Sequence, residues 1–205
     1  VLLLISGATQ NVLQWRDHPN LGVLMTPRGN HSREYLLSTG LSWAADNDAF
    51  SGFNAAQFTA MLWRLRGVKG CKFVSLPDVV GDAKKTLAQF YQWHPVVHWF
   101  HSYPVALVAQ DGLEHESIPW SLFEALFVGG STTWKLSATA SDIIKEAKRR
   151  GKWVHMGRVN SVPRIRYAQN LGCDSVDGSG YSINFSHVLN HLPVFETRQS
   201  RLVGF

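Results

Sequence analysis

Cysteine is scarce: the 205 residues hold two, Cys71 and Cys173. That excludes a disulfide-stapled scaffold and a zinc site made of four cysteines. It also predicts a reduced, cytoplasmic setting. No apolar run approaches the roughly 18 residues of a membrane helix, so no membrane partner is expected. The apolar start Val1–Ile5 is too short and too bare of basic residues to read as a secretory signal. Charged side chains are only 17% of the chain against 45% hydrophobic ones, which is too apolar for disorder. Linkers, charge blocks and low-complexity tracts are also lacking, so residues 1–205 read as a single domain. A Walker loop, a dinucleotide fingerprint, a nucleophile elbow and a zincin helix are all absent, and no cofactor is expected. His94, His98 and His101 lie close together, but Pro95 interrupts them and no third ligand stands nearby, so no metal is expected.

What is present is a rhythm. Short apolar runs end in Gly, Asp or Pro and are followed by helical patterns. The runs that read as strands are 2–5, 22–25, 43–45, 72–76, 105–109, 125–128, 153–156 and 175–176. Most are continuous rather than alternating, as in parallel strands covered by helices. Asn54 and Gln57 resemble a capping box ahead of the stripe Phe58, Met61, Leu62 and Leu65. Asp82 is placed to cap a helix with an inner face of Leu87, Phe90 and Tyr91. Ser141 and Asp142 are read as opening a helix that closes on Lys148, Arg149, Arg150 and Gly151. Ser161 and Pro163 begin another, which stops at Gly172. Dividing 205 residues by eight leaves about 26 per unit, enough for a strand and a crossover helix. The expectation is therefore an α/β fold, a compact (β/α)8 TIM-type barrel, with a doubly wound open sheet as the competitor.

Polar residues cluster where the strand runs end: Asp46-Asn47-Asp48, Asp78, Gln110-Asp111, Gly129-Gly130-Ser131 and Gly157-Arg158. Asp174 and Asp177 flank the last run. In a barrel these ends open onto one face, so several carboxylates would converge on one mouth. Two carboxylates with separated pKa values can carry glycosyl transfer unaided, one as nucleophile and one as acid. Gly129-Gly130-Ser131 suits either a phosphate cradle or a tight turn.

The order of these segments resembles the tRNA-guanine transglycosylases, and more closely the short phage and bacterial relatives that modify DNA. Ala45-Asp46-Asn47-Asp48-Ala49-Phe50 resembles the family's D-S-G-G-[YF] loop, which implies Asp46 as general acid/base. Phe73–Asp78 resembles the strand whose Asp reads the purine edge. Val108–Gly112 is similar to the Q-G segment, and Leu126–Gly130 to A-V-G-G. Val154–Arg158 resembles H-Y-L-M-G-V-G, and Gly172–Val176 the F-D-C-V strand with its nucleophilic Asp. The family's cysteine-rich zinc segment has no counterpart between Tyr181 and Phe205, and 205 residues leave no room for tRNA-gripping insertions. Asp48 stands where the family usually has Gly.

The resemblance implies a barrel without the zinc subdomain that exchanges guanine in DNA for a 7-deazaguanine base such as preQ0. Asp174 would be the nucleophile, with Asp177 the alternative. Phe50 and Met156 would sandwich the base. Asp78, Gln110 and the Gly129-Gly130 backbone would read its edge. Lys135, Arg158, Arg164 and Arg166 are candidates for phosphate contacts, in keeping with a net charge of +5. Related barrels often pair, so a homodimer is possible. The other readings are an RNA base exchanger, a hydrolase that releases free guanine, a catalytically silent DNA-binding subunit, and a barrel that binds a sugar phosphate at Gly129-Gly130-Ser131.

Overall fold

A computed structural model describes residues 1–7, 9–29 and 31–196, apart from the side chains of residues 99–101 and 196. Eight parallel strands close into a barrel in sequence order. They are β1 (Leu2–Ile5), β2 (Leu21–Met25), β3 (Trp43–Ala45), β4 (Cys71–Ser75), β5 (Val105–Ala109), β6 (Ala125–Val128), β7 (Trp153–Met156) and β8 (Ser175–Asp177). β8 returns to β1 with Leu2 opposite Ser175 and Leu4 opposite Asp177, so no edge is left open. The competing open sheet is thereby overturned.

The helices are α1 (Thr9–Gln14), α2 (Arg33–Thr39), α3 (Ala55–Leu65), α4 (Ala83–His101), α5 (Thr132–Lys135), α6 (Ala138–Arg149), α7 (Val162–Asn170), α8 (Ser179–Ile183) and α9 (Phe185–Glu196). The β5–β6 crossing has no α-helix. Two short 3-10 turns, Leu113–His115 and Trp120–Leu122, cover it instead. That economy helps a chain of 205 residues complete the barrel. No helix among the described residues is long and apolar enough to cross a membrane.

Strand side chains alternate between two cores, as the two-residue period requires. Leu4, Leu24, Ala44, Phe73, Ala106, Val108, Ala125 and Phe127 fill the interior. Leu3, Ile5, Val23, Trp43, Val74, Leu107, Val154, Met156 and Val176 face the helices. Both faces are apolar, which is why the strand runs read as continuous.

The helix starts follow cap chemistry. Asn54 and Asp82 accept the backbone N–H groups of Gln57 and Lys85, as expected. Phe58, Met61, Leu62 and Leu65 are buried on α3. Two details differ. Tyr91 is 52% exposed, because it lies about 100° round the helix from Phe90 and off the inner stripe. α6 begins at Ala138, with Ser137 accepting the N–H of Ala140, so Ser141 and Asp142 lie inside the helix. The apolar stripe Ala140, Ile143, Ile144 and Ala147 draws the start back to Ser137.

Candidate active site

The C-terminal strand ends frame a cleft lined in part by Asp46, Phe50, Asp78, Gln110, Arg158 and Asp177. Asp46 follows β3 at an inward position. Its Oδ1 accepts the Ser75 hydroxyl at 3.1 Å. The same hydroxyl oxygen accepts the Asn47 N–H at 3.0 Å. Burial and the neighbouring charges of Asp177 and Asp78 push the Asp46 carboxyl up to about 7. It is therefore poised to hold or release a proton near neutral pH.

Beside it a second carboxylate is clamped between two amides. Asp78 Oδ1 accepts Asn47 Nδ2 at 2.8 Å, and Oδ2 accepts Gln110 Nε2 at 2.6 Å. Gln110 Oε1 accepts the Gly81 N–H at 2.9 Å, which fixes the amide's orientation. Burial raises the Asp78 carboxyl despite these bonds. Asn47 is buried and also donates to the Leu76 carbonyl at 2.7 Å. It ties the β3 loop to the β4 loop, a role its place in the sequence did not reveal.

Asp177 is the third acid of the cleft. Its Oδ1 lies 3.1 Å from His155 Nε2 and accepts the Arg158 N–H at 3.2 Å. Asp174 is elsewhere. It precedes β8 at the N-terminal end of the barrel, where Oδ2 accepts Lys148 Nζ at 2.6 Å and the Val154 N–H at 2.7 Å. The expectation that Asp174 is the nucleophile is corrected: it cannot meet Asp46 at the mouth. Strand parity explains the difference. Ser175 and Asp177 face inward on β8, and Asp174 is one residue out of phase and below the strand.

Phe50 stands at the rim, 74% exposed. Met156 does not oppose it. Its side chain is buried in the layer between barrel and helices, so the expected sandwich is not formed. The Arg158 guanidinium covers Phe50 instead, 5.4 Å from the ring centroid. Arg158 adopts φ 61 and donates through Nη2 to the Gly129 carbonyl at 2.7 Å and to that of Gly130. Asp48 also takes a left-handed backbone, with φ 63, at the position where the resembled family has Gly. Its carboxylate pairs with Arg28 Nε at 2.7 Å.

The Gly129-Gly130 backbone is engaged within the protein. Both N–H groups donate to the Ala109 carbonyl at 3.0 Å. The expectation that they read a base edge is corrected, and Gly130 does not line the cleft. Gly129 and Gly157 matter by having no side chain. A Cβ on Gly129 would sit 2.9 Å from Gln110 Nε2, and one on Gly157 would sit 2.9 Å from the Phe127 ring. Ser131 donates its N–H and hydroxyl to Asp111 at 2.6 and 2.5 Å, so a carboxylate fills the turn that was a candidate phosphate cradle.

Lys135 is corrected as a phosphate contact. It is 4% exposed and its Nζ donates to the Gly157 carbonyl at 2.6 Å. Burial, then the nearby Arg158 charge, pushes its ammonium down to about 7. Arg164 donates to the Arg158 carbonyl at 3.3 Å, and Arg166 is exposed on α7. His94 and His98 stack at 5.1 Å, and the His101 side chain lies outside the described residues. No group of three His, Cys, Asp or Glu suited to a metal occurs among the described residues. Neither a family model nor a curated protein matches the chain.

Proposed function

We propose that the cleft exchanges a purine base on nucleic acid, guanine in DNA for a 7-deazaguanine such as preQ0, through a covalent sugar ester on Asp177. The observation that carries this reading is the convergence of Asp46 and Asp177 on one cleft beside the Asp78–Gln110 pair. The acids have separated tasks. Asp46, held near neutrality, suits proton transfer. Asp177 suits attack.

The target nucleotide leaves the stack to enter the mouth. Asp78 accepts N–H donors of the purine edge, and Gln110 offers its remaining amide hydrogen. The Asp177 carboxylate attacks C1′ as the C1′–N9 bond breaks, and Asp46 gives its proton to the departing base. The incoming base then yields its N9 proton to Asp46, N9 attacks C1′, and the ester bond breaks to restore Asp177. Two inversions give net retention, and the bonds exchanged are alike, so no energy source is required. Arg158, Arg164 and Arg166 supply positive charge for phosphates.

The test is incorporation of labelled preQ0 into guanine-containing DNA, with an RNA arm in parallel. Asp177→Asn is expected to reduce incorporation by a factor of roughly 1,000 or more, because it removes the attacking group. Asp174→Asn is expected to stay within about twofold of wild type, since it perturbs only the far end of the barrel. Wild-type protein given DNA without incoming base should form an adduct that survives denaturant. No adduct with either nucleic acid, or full activity in Asp177→Asn, would overturn the reading. Free guanine without uptake would make the enzyme a hydrolase.

A further inference from the structure

Beneath Asp177 runs a polar chain inside the barrel that the base-exchange chemistry above does not use. Ser175 and His155 are both 0% exposed. Trp153 Nε1, which can only donate, reaches the Ser175 hydroxyl oxygen at 2.8 Å. The Ser175 hydroxyl lies 2.9 Å from His155 Nδ1, and His155 Nε2 lies 3.1 Å from Asp177 Oδ1. Phe73 and Phe127 pack on the imidazole at 5.1 and 4.5 Å between ring centres and hold its plane.

The acceptor at one end sets the order. The Asp177 carboxylate can only accept, so the facing Nε2 carries a hydrogen. A neutral ring then leaves Nδ1 as an acceptor for the Ser175 hydroxyl, whose oxygen takes the Trp153 N–H. Both hydrogen bonds recorded for the Asp177 carboxylate, from His155 and from the Arg158 N–H, fall on Oδ1. Oδ2 accepts none among the described residues. His155 itself is sealed from the cleft, so it is no proton shuttle to substrate.

We infer that His155 is a positioning residue: aligned by Ser175 with its Nε2–H on Asp177, it pins Oδ1 of that carboxylate and leaves Oδ2 as the attacking oxygen. The arrangement inverts the familiar triad, in which a carboxylate orients a histidine. The inference rests on the base-exchange reading for its catalytic meaning, while the hold itself is a property of the barrel alone.

Two measurements test it. The first is nitrogen-15 NMR of the histidine side chains in the full chain, with the His155 signals assigned by their loss in His155→Gln. The expected pattern is an unprotonated Nδ1 and a protonated Nε2, altered by Asp177→Asn and by Ser175→Ala. An Nδ1–H ring, or signals indifferent to both substitutions, would overturn the inference. The second is the rate of covalent adduct formation in a single turnover. His155→Phe should slow it by roughly 100-fold, the order seen when one preorganised donor is removed, with DNA affinity within twofold. His155→Gln, whose amide can donate from a similar place, should recover most of the rate. Equal losses in Phe and Gln variants, or a loss confined to DNA affinity, would reduce His155 to a packing residue. If the wild type forms no adduct on any nucleic acid, the base-exchange reading fails, and the NMR arm still decides the hold on Asp177.

Discussion

Asp46 shows how one half-buried carboxyl sets the behaviour of a site. Its folded-state value of about 7 lies above the ordinary 3.8 because burial and two neighbouring acids oppose its charge. Between those values the folded protein binds a proton that the unfolded chain has lost, so this group's contribution to stability falls as pH rises through that window. Asp46→Asn removes the titration and keeps the shape. The variant is expected to match wild type near pH 4 and to exceed it by up to roughly 4 kcal/mol at pH 8, read from urea midpoints. Catalysis should follow the same proton. In the proposed base exchange, departure of the base needs the acid form, so its single-turnover rate should decline as pH rises above about 7.

At the scale of elements, the strand ends and helix starts position the chemistry, and the two differ in how legible they were. β1, β3, β5, β6 and β7 occupy the residues that their apolar runs mark. Helix starts were harder, because Ser and Asp serve as caps and as ordinary surface residues alike. Ser137, not Ser141, caps α6. Ser137→Ala is therefore expected to cost about 1 kcal/mol of stability, and Ser141→Ala less than half as much, in thermal unfolding. α6 also bears on the corrected acid, since its Lys148 holds Asp174 at the foot of β8. Asp174 and Asp177 both flank the last apolar run, and which of them enters the cleft depends on parity along a three-residue strand, which is hard to read from sequence. Ser175, facing inward beside His155, fixes the parity that also turns Asp177 inward.

The whole molecule closes because small residues occupy the interior where strands crowd. Gly22 is the clearest case. A Cβ there would lie 2.8 Å from both the Leu4 side chain and the Ser42 carbonyl, and the carbonyl is backbone that cannot swing aside. Gly22→Ala is expected to destabilise the barrel by roughly 2 kcal/mol, measured by denaturant unfolding, without touching the mouth. Closure also gathers residues far apart in sequence. Asp46 and Asp177 are brought to one cleft because β1 and β2 complete the arc between β3 and β8.

The amino-acid sequence by itself determined the strand rhythm, the α/β class and the polar character of the strand ends, because apolar periodicity is a local property, while the choice of barrel over open sheet came from the closure of β8 on β1. It also marked Asp46, Phe50, Asp78 and Gln110, which do share the cleft. Only the tertiary structure decided which acid joins them, that Met156 turns outward, that Lys135 is buried, and that the Gly129-Gly130 amides are spent on Ala109. Each of these depends on register around a closed ring. A shift of one residue sends a side chain to the opposite face, and that register is set by packing between strands rather than by any single segment.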